Sequence, residues 1–194
     1  IAEKDAVNRY TTAEIKVESS DIRIFSDEQY ANLGINVTNG MNSCDVLFGV
    51  KEVPIDALIP NKKYFFFSHT IKKQPYNRKL LKALLEKNID FYDHETIVDA
   101  NYNRLIGFGR YAGIVGTYNA FRAFGIKFGL FTIPKAETLS VKEDLVTKLK
   151  RPILPPIKVV LTGCGKVGNG AKEILDAMKM KEVSVENFLM KKYS

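Results

Sequence analysis

The chain has 194 residues, of which 45% are hydrophobic and 26% are charged, a balance typical of globular proteins. A chain of this length buries roughly 70% of the surface that it exposes when unfolded, so we expect one compact domain or one domain and part of a second. No apolar run approaches the ~20 residues of a membrane span. Cys44 and Cys164 are too few and too far apart to indicate a disulfide framework or a cysteine-rich metal site. We therefore expect a cytoplasmic protein without a membrane partner or a bound metal.

The formal net charge of +7 raises the question of nucleic-acid binding. The lysines are interspersed with acidic residues and do not gather with aromatic residues in one stripe. We interpret the charge as a solvated basic surface and predict no nucleic-acid partner.

The first two thirds of the chain alternate between apolar runs of strand length and helical patterns. The runs at residues 13–17, 45–50, 64–67 and 89–92 are bounded by turn residues and predict strands. Residues 76–86 carry a helical pattern with lysines opposite an apolar face, as in a helix that covers a sheet. The expected apolar face consists of Leu80, Leu81, Leu84 and Leu85. The alternation predicts α/β layering.

Two more helices are predicted further along the chain. Residues 111–124 form a longer apolar pattern interrupted by glycines. Ser140 and Glu143 indicate a capping box, which opens a helix that runs to about Lys150.

A proline-rich segment marks the predicted domain boundary. Residues 151–156 contain three prolines, which exclude a regular helix and favour an extended connection. We therefore assign residues 1–138 to a first α/β domain and residues 139–194 to a linker helix and the first part of a second domain.

Gly163, Gly165 and Gly168 form a G-x-G-x-x-G motif between an apolar run at residues 157–161 and a helix predicted over residues 169–178. The first glycine permits a tight turn, the second lets the backbone approach a pyrophosphate, and the third allows close packing of helix and strand. The N-terminus of the helix supplies unpaired amides and positive potential. The motif predicts a site for NAD or NADP, and the alternative is a tight strand-to-helix turn without a ligand.

The choice between the two dinucleotides stays open. An acidic residue about 20 positions after the motif would bind the ribose of NAD, and Glu186 lies near that point, after a short strand candidate at residues 182–185. Residues 184–187 also resemble a helix start, where an acidic side chain interacts favourably with the helix dipole.

Chemically capable residues follow two of the predicted strands. Lys51 directly follows the run at residues 45–50, and His69 lies two positions after the end of the run at residues 64–67. Ligands of open α/β sheets bind outside the carboxyl ends of the strands, and neighbouring strands lie about 4.8 Å apart. If these two strands are neighbours, Lys51 and His69 face one crevice and can divide proton donation and removal. The alternative is a solvated lysine and a histidine bonded to nearby backbone, and we interpret His94 as structural.

Three sequence strings resemble the alanine dehydrogenase and transhydrogenase superfamily. They are CDVLFGVKEVP at residues 44–54, FFSHTIKKQ at residues 66–74 and FGRYAG at residues 108–113. Within the superfamily the chain is most similar to the lysine-ketoglutarate reductase branch, the lysine-forming saccharopine dehydrogenases, from about Ile22 to the C-terminus. The resemblance implies a Rossmann-like substrate-side domain followed by the start of a Rossmann dinucleotide-binding domain.

The resemblance also implies roles for particular residues. The family's catalytic lysine and histidine fall on Lys51 and His69. The implied substrate-binding residues are Glu52, Lys72, Gln74 and Arg110, the last being a candidate for a cofactor contact as well. The implied cofactor-binding residues are Gly163, Gly165 and Gly168.

The activity implied is the NAD(P)-dependent reductive condensation of lysine with 2-oxoglutarate, or the reverse reaction. The alternatives are an alanine-dehydrogenase-like reductive amination of a small 2-oxo acid and a non-catalytic nucleotide-binding protein. The implied partners are an amino acid and a 2-oxo acid, and homo-oligomer formation stays open. The family's first strand, with an arginine for the substrate carboxylate, would precede Ile1, and the rest of the Rossmann sheet would follow Ser194. We therefore expect the front portion of a longer enzyme, inactive on its own.

Overall fold

The computed structural model describes residues 13–190 of the chain. These residues form two compact units, which divide between Gly107 and Phe108. Among the described residues, no helix is both long and apolar enough to cross a membrane.

The first unit begins with a small parallel sheet. Strand β1 (Lys16–Glu18) pairs with β2 (Asn36–Thr38), and helix α1 (Asp27–Asn32) lies between them in the sequence. The helix starts at Ser26, whose hydroxyl accepts the N–H of Gln29 while the Gln29 side chain accepts the N–H of Ser26. This capping box satisfies two amides that a helix N-terminus leaves without intrahelical partners.

A second parallel sheet carries the larger core of the first unit. It contains β3 (Val46–Phe48), β4 (Lys63–Phe66) and β5 (Asp90–Asp93) in that order, and helix α2 (Arg78–Glu86) connects β4 to β5. The helix and one face of the sheet bury a cluster made of Leu58, Tyr64, Phe66, Leu80, Ala83 and Leu84. Three strands expected from the sequence therefore form one sheet, as the α/β prediction requires.

Only two of the four leucines predicted for the buried face of α2 are buried. Leu80 and Leu84 are buried, but Leu81 is 44% exposed and Leu85 is 73% exposed. Each exposed leucine lies about 100° around the helix axis from the buried leucine before it, so a single sheet face cannot cover both pairs. Ala83 takes the remaining place on the buried stripe.

The second unit is helical in the part that the structure describes. It contains α3 (Gly109–Lys127), α4 (Lys142–Leu149), α5 (Lys166–Ala177) and α6 (Val185–Met190). Its core consists of Ile114, Tyr118, Phe121, Ile133, Leu145, Leu149 and Ile174. Helices α3 and α5 approach so closely at Gly113 that a Cβ added there would lie 2.0 Å from the carbonyl oxygen of Val167. The absence of a side chain at Gly113 permits this contact.

The packing of α3 bears on the domain boundary. The proline-rich segment led us to place the boundary near residue 138, whereas the compact units divide after Gly107. Helix α3 belongs to the second unit because Gly113 lets its backbone pack closely against α5. Both helices also contribute side chains to the core of that unit. The assignment of the two domains to substrate and nucleotide stays a prediction.

Two local predictions in the second unit were wrong. Residues 157–161 are not a strand, because a strand needs a neighbour for its backbone hydrogen bonds and the described residues 108–190 contain none. Helix α4 is preceded by Val141, which makes no side-chain cap, so the expected capping box of Ser140 and Glu143 is not formed.

Candidate functional site

The carboxyl ends of the three strands in the second sheet lie side by side. Beyond the strands, the N–H of Gly49 donates to the Phe65 carbonyl at 2.8 Å, and the N–H of Phe67 donates to the Val50 carbonyl at 3.2 Å. The N–H of His94 donates to the Phe66 carbonyl at 3.1 Å and joins the end of β5 to that of β4. The strands before Lys51 and His69 are therefore neighbours, as the crevice prediction required.

His69 lies at the centre of a polar cluster. Its Nδ1 is 3.0 Å from Oε2 of Glu95, and its Nε2 is 3.9 Å from Oε1 of Glu52. The Nζ of Lys72 is 3.3 Å from the same Nδ1 and 3.4 Å from Oε1 of Glu95. An ionised carboxylate can only accept, so a hydrogen bond between Nδ1 and Glu95 requires the hydrogen on Nδ1, and in that tautomer Lys72 donates to Glu95 and not to the ring.

Glu95 is a functional candidate that sequence reasoning missed. Its side chain is only 4% exposed, yet three basic groups surround it, because the guanidinium of Arg104 lies 3.5 Å from Oε1 in addition to His69 and Lys72. Buried carboxylates are rare unless they are paired. The signal was present: Glu95 follows β5 as Lys51 follows β3, and strand-end reasoning applied to the third run would have included it.

A second buried carboxylate lies beside this cluster. Asp93 accepts the hydroxyl of Ser68 at 2.5 Å on Oδ2, and it accepts the N–H of Glu95 at 2.9 Å on Oδ1. The Ser68 oxygen also accepts the N–H of Thr70 at 3.1 Å. Asp93 is 7% exposed and Ser68 is fully buried. This network connects the loops after β4 and β5.

The other residues predicted for substrate have less contact with the cluster. Lys51 is exposed, one residue beyond the ladder that joins β3 to β4. Gln74 is also exposed, and its carbonyl accepts the N–H of Asn77 in a 3₁₀ turn. Within the described residues, neither side chain bonds to His69 or Glu95. The structure thus brings Glu52, His69 and Lys72 together and leaves Lys51 and Gln74 open to solvent.

His94 contributes to the scaffold of the site. Its Nε2 is 3.2 Å from the carbonyl oxygen of Gly49, and its ring packs 5.1 Å from that of Phe67. The histidine thereby ties the end of β5 to that of β3, two residues before Lys51, and these contacts agree with our structural interpretation of His94.

Two of the three glycines in the turn of the second unit lie where a side chain is disfavoured. Gly163 has a φ of +88°, which disfavours a residue with a Cβ. A Cβ at Gly168 would lie 2.2 Å from the carbonyl oxygen of Gly163, so the turn closes only with glycine there. A Cβ at Gly165 would meet nothing within 4 Å, which leaves space at the N-terminus of α5. These three positions fit a bound pyrophosphate, although the preceding strand is not formed.

Arg110 lies in the second unit, beside the helix that follows this turn. Its Nε and Nη2 each donate to a different oxygen of Glu173 on α5 at 2.9 Å, and Lys142 donates to Glu173 at 2.7 Å. Hydrogen bonds from Lys142 and then Arg110 lower the pKa of Glu173, and the bond to Glu173 raises the pKa of Arg110. Arg110, Lys166, Asn169 and Glu173 line a cavity of about 240 Å³. The role predicted for Arg110 stays a prediction, and this placement is compatible with a cofactor contact.

Glu186 lies at a helix start, which is the second of the two settings considered for it in the sequence. It lies in the first turn of α6, where the Ser184 hydroxyl accepts the N–H of Asn187 at 3.2 Å. Residues 184–187 are therefore a capped helix start and not the end of a strand.

Comparison with known sequences places the chain in a family. Residues 5–115 match the family described as alanine dehydrogenase/PNT, N-terminal domain. The chain belongs to this family. It is 30% identical over 185 residues to an alpha-aminoadipic semialdehyde synthase of Arabidopsis thaliana, a match that covers 86% of the chain and 17% of the relative. It is also 24% identical over 193 residues to the NAD(+)-dependent, L-lysine-forming saccharopine dehydrogenase of Yarrowia lipolytica, which covers 89% of the chain and 51% of that relative.

The chain thus spans about half the length of the saccharopine dehydrogenase and about a fifth of the synthases. A bovine alpha-aminoadipic semialdehyde synthase, 29% identical over 205 residues with 92% of the chain and 22% of the relative covered, is described as mitochondrial. The cytoplasmic location therefore stays a prediction.

Comparison with solved structures supports the fold. An L-alanine dehydrogenase superposes with a TM-score of 0.55 at 16% sequence identity, covering 87% of this chain and 45% of that one. The predicted α/β fold is confirmed, and the strand pairs of both sheets are parallel.

Proposed function

We propose that the protein carries out the NAD(P)-dependent reductive condensation of lysine with 2-oxoglutarate to saccharopine, or the reverse reaction. The observation that carries the proposal is the bond between His69 and buried Glu95 at the adjoining ends of β4 and β5, with Lys51 at the end of β3. The similarity to lysine-forming saccharopine dehydrogenases supports the choice of substrates.

The reaction needs several proton transfers at a small site. The amine of lysine must lose a proton before it attacks the 2-oxo group, and the adduct must gain a proton before water leaves. A neutral His69 ring that donates Nδ1–H to Glu95 keeps a lone pair on Nε2, which can accept a proton. Lys51, exposed at the neighbouring strand end, would supply the second proton-transfer group.

Positive charge near His69 suits substrates that carry carboxylates. Lys72 and Arg104 share the single charge of Glu95, and their side chains are 51% and 48% exposed. Both can therefore donate to a substrate carboxylate while they remain bonded to Glu95, and arginine can do so with two parallel N–H bonds. The expected contact of Gln74 with substrate belongs to the same proposal.

The glycine turn would bind the dinucleotide in the second unit. Gly163 and Gly168 shape the turn, and Gly165 leaves room for the pyrophosphate near the amides of α5. A nicotinamide dinucleotide held there would supply the reducing chemistry of the reaction.

A substrate comparison tests the proposal. In the full-length protein, we expect oxidation of NADH or NADPH, followed at 340 nm, when lysine and 2-oxoglutarate are both present, with saccharopine identified by mass spectrometry. Omission of either substrate is the matched control. Turnover with ammonia and pyruvate but none with lysine and 2-oxoglutarate would refute the proposal in favour of an alanine-dehydrogenase-like reaction.

A further inference from the structure

We propose that Asp93 is a positioning residue of this site, which acts through Ser68 to hold His69 where its imidazole meets Glu95. The Asp93 carboxylate makes no hydrogen bond to the imidazole, and in the proposed reaction it does not contact the substrates. Its expected effect on turnover rests on the proposed function, whereas its effect on the conformation of His69 does not.

The carboxylate of Asp93 binds both segments that carry the pair. Oδ2 accepts the hydroxyl of Ser68, the residue directly before His69, at 2.5 Å. Oδ1 accepts the N–H of Glu95 at 2.9 Å. Asp93 and Ser68 are 7% and 0% exposed, so water does not compete for these bonds. Hydrogen bonds to a charged acceptor in such surroundings are stronger than those between neutral groups.

The Ser68 hydroxyl extends this contact to the far side of His69. Its oxygen accepts the N–H of Thr70 at 3.1 Å and lies 2.7 Å from the Thr70 hydroxyl oxygen. The residues on both sides of His69 are therefore fixed to one oxygen atom, which Asp93 anchors.

His69 needs such an anchor because its backbone is in an unfavourable region. Its φ is +56° and its ψ is +12°, a left-handed conformation in which the Cβ of an L-residue crowds the backbone. Without the bonds at Ser68 and Thr70, we expect the backbone to relax toward negative φ. The ring would then move away from Glu95, with which Nδ1 now makes a bond of 3.0 Å. Glu95 thus orients the ring, while Asp93 holds the backbone that carries it.

Two substitutions separate this role from a general loss of folding. Ser68→Ala removes the linking hydroxyl in a small buried residue, and Asp93→Asn keeps the shape but removes the charge and replaces one oxygen by an NH2, so that the Ser68 hydroxyl and the Glu95 N–H cannot both keep their acceptors. Thr96→Val is the matched control, because the Thr96 hydroxyl donates at 2.9 Å to the backbone carbonyl of Asp93 and has no bond to the His69 segment.

The measurements are made on full-length protein with ¹⁵N-labelled histidine, with the His69 signals assigned from His69→Gln. In wild type we expect ¹⁵N shifts of a ring protonated at Nδ1 and bonded through it. In Ser68→Ala and Asp93→Asn we expect a mixture of tautomers and a kcat at least ~10-fold lower, with KM for NAD(P)H within twofold and Thr96→Val like wild type. The circular dichroism spectrum verifies folding, and if Ser68→Ala does not fold, Asp93→Asn decides.

Wild-type ring shifts and a kcat within twofold of wild type in the folded variants would overturn the proposal. If the wild type shows no turnover but the variants change the ring shifts, the positioning role stands and the proposed reaction fails. If the wild type turns over but the variants change neither the ring shifts nor kcat, the proposed reaction stands and the positioning role of Asp93 fails.

Discussion

Glu95 is surrounded by His69, Lys72 and Arg104, and in the proposed reaction it would orient the imidazole that transfers protons. We expect Glu95→Gln to lower kcat by at least ~10²-fold, because the amide can donate to Nδ1 and so favour the tautomer with the hydrogen on Nε2. The ¹⁵N shifts of His69 measure the tautomer directly. We also expect the free energy of unfolding to fall by about 1–3 kcal/mol, since bonds to a buried charge are lost.

Glu86→Gln is the matched control for this substitution, because Glu86 is exposed at the end of α2 that leads to the start of β5, away from the carboxyl ends of the strands. A Glu95→Gln protein with wild-type kcat and an unchanged His69 tautomer would contradict the role assigned to Glu95.

The site residues differ in how well the sequence predicts them. Lys51 and His69 follow strong apolar runs, and the resemblance to a family singles out the same pair. Glu95 escaped notice because its partners are 23 and 26 positions earlier and 9 positions later in the chain, so only the folded sheet shows that its charge is buried and paired. The left-handed backbone of His69 has no sequence signal, because tertiary contacts impose it on a residue that disfavours it.

The turn that joins residue 162 to α5 allows binding to be separated from folding. We expect Gly165→Ala to weaken NAD(P)H binding at least ~10-fold, measured by calorimetry, because the added methyl group occupies the space left for the pyrophosphate. Its φ of −79° and ψ of −170° suit alanine, so the free energy of unfolding should be unchanged or rise by about 0.4–1 kcal/mol.

Gly168→Ala is the contrasting substitution in the same turn. Its methyl group would approach the Gly163 carbonyl oxygen to 2.2 Å, so the turn must move, and we expect a loss of about 1–3 kcal/mol in stability together with weaker binding. Equal cofactor affinity in Gly165→Ala and wild type would show that no dinucleotide approaches this turn.

Three helices of the second unit meet at Glu173, and their contact should depend on pH. The pKa of Glu173 is lowered by the bonds from Lys142 and Arg110, so its contribution to stability is present above the unfolded pKa and is lost as the pH falls through the lowered value. We expect Glu173→Gln to lower the thermal midpoint at pH 7, with the difference from wild type shrinking on acidification below about pH 4.5. A difference that is constant down to full protonation would contradict the ion-pair account, and Glu137→Gln, on an exposed residue, is the control.

At the scale of single elements, the sequence correctly predicts those strands that have a neighbouring strand to pair with among the described residues. The runs before Lys51 and His69 became adjacent strands because each has a neighbour in the same sheet. Residues 157–161 have the same kind of apolar run but no neighbouring strand among residues 108–190, and they remain irregular. Periodicity therefore indicates the tendency to form a strand, while the pairing partner decides whether the strand forms.

The two units of the chain correspond to two separate chemical tasks in our account. The first unit holds the residues that would transfer protons and bind carboxylates, and the second holds the glycine turn and Arg110. The sequence indicated both tasks, but the helical packing that assigns α3 to the second unit was visible only in the structure, because it depends on close contacts of Gly113 and Gly170.

The central claim is that Lys51 and His69 carry the proton chemistry of saccharopine formation. The most direct test compares the rate of saccharopine formation in full-length wild type, Lys51→Ala, His69→Gln and Lys62→Ala, the last being a half-buried lysine before β4, at the opposite end of that strand from His69. We predict a loss of at least ~10²-fold in the first two variants and a rate within twofold of wild type in the third. Saccharopine formation at the wild-type rate in folded Lys51→Ala and His69→Gln proteins would contradict the claim.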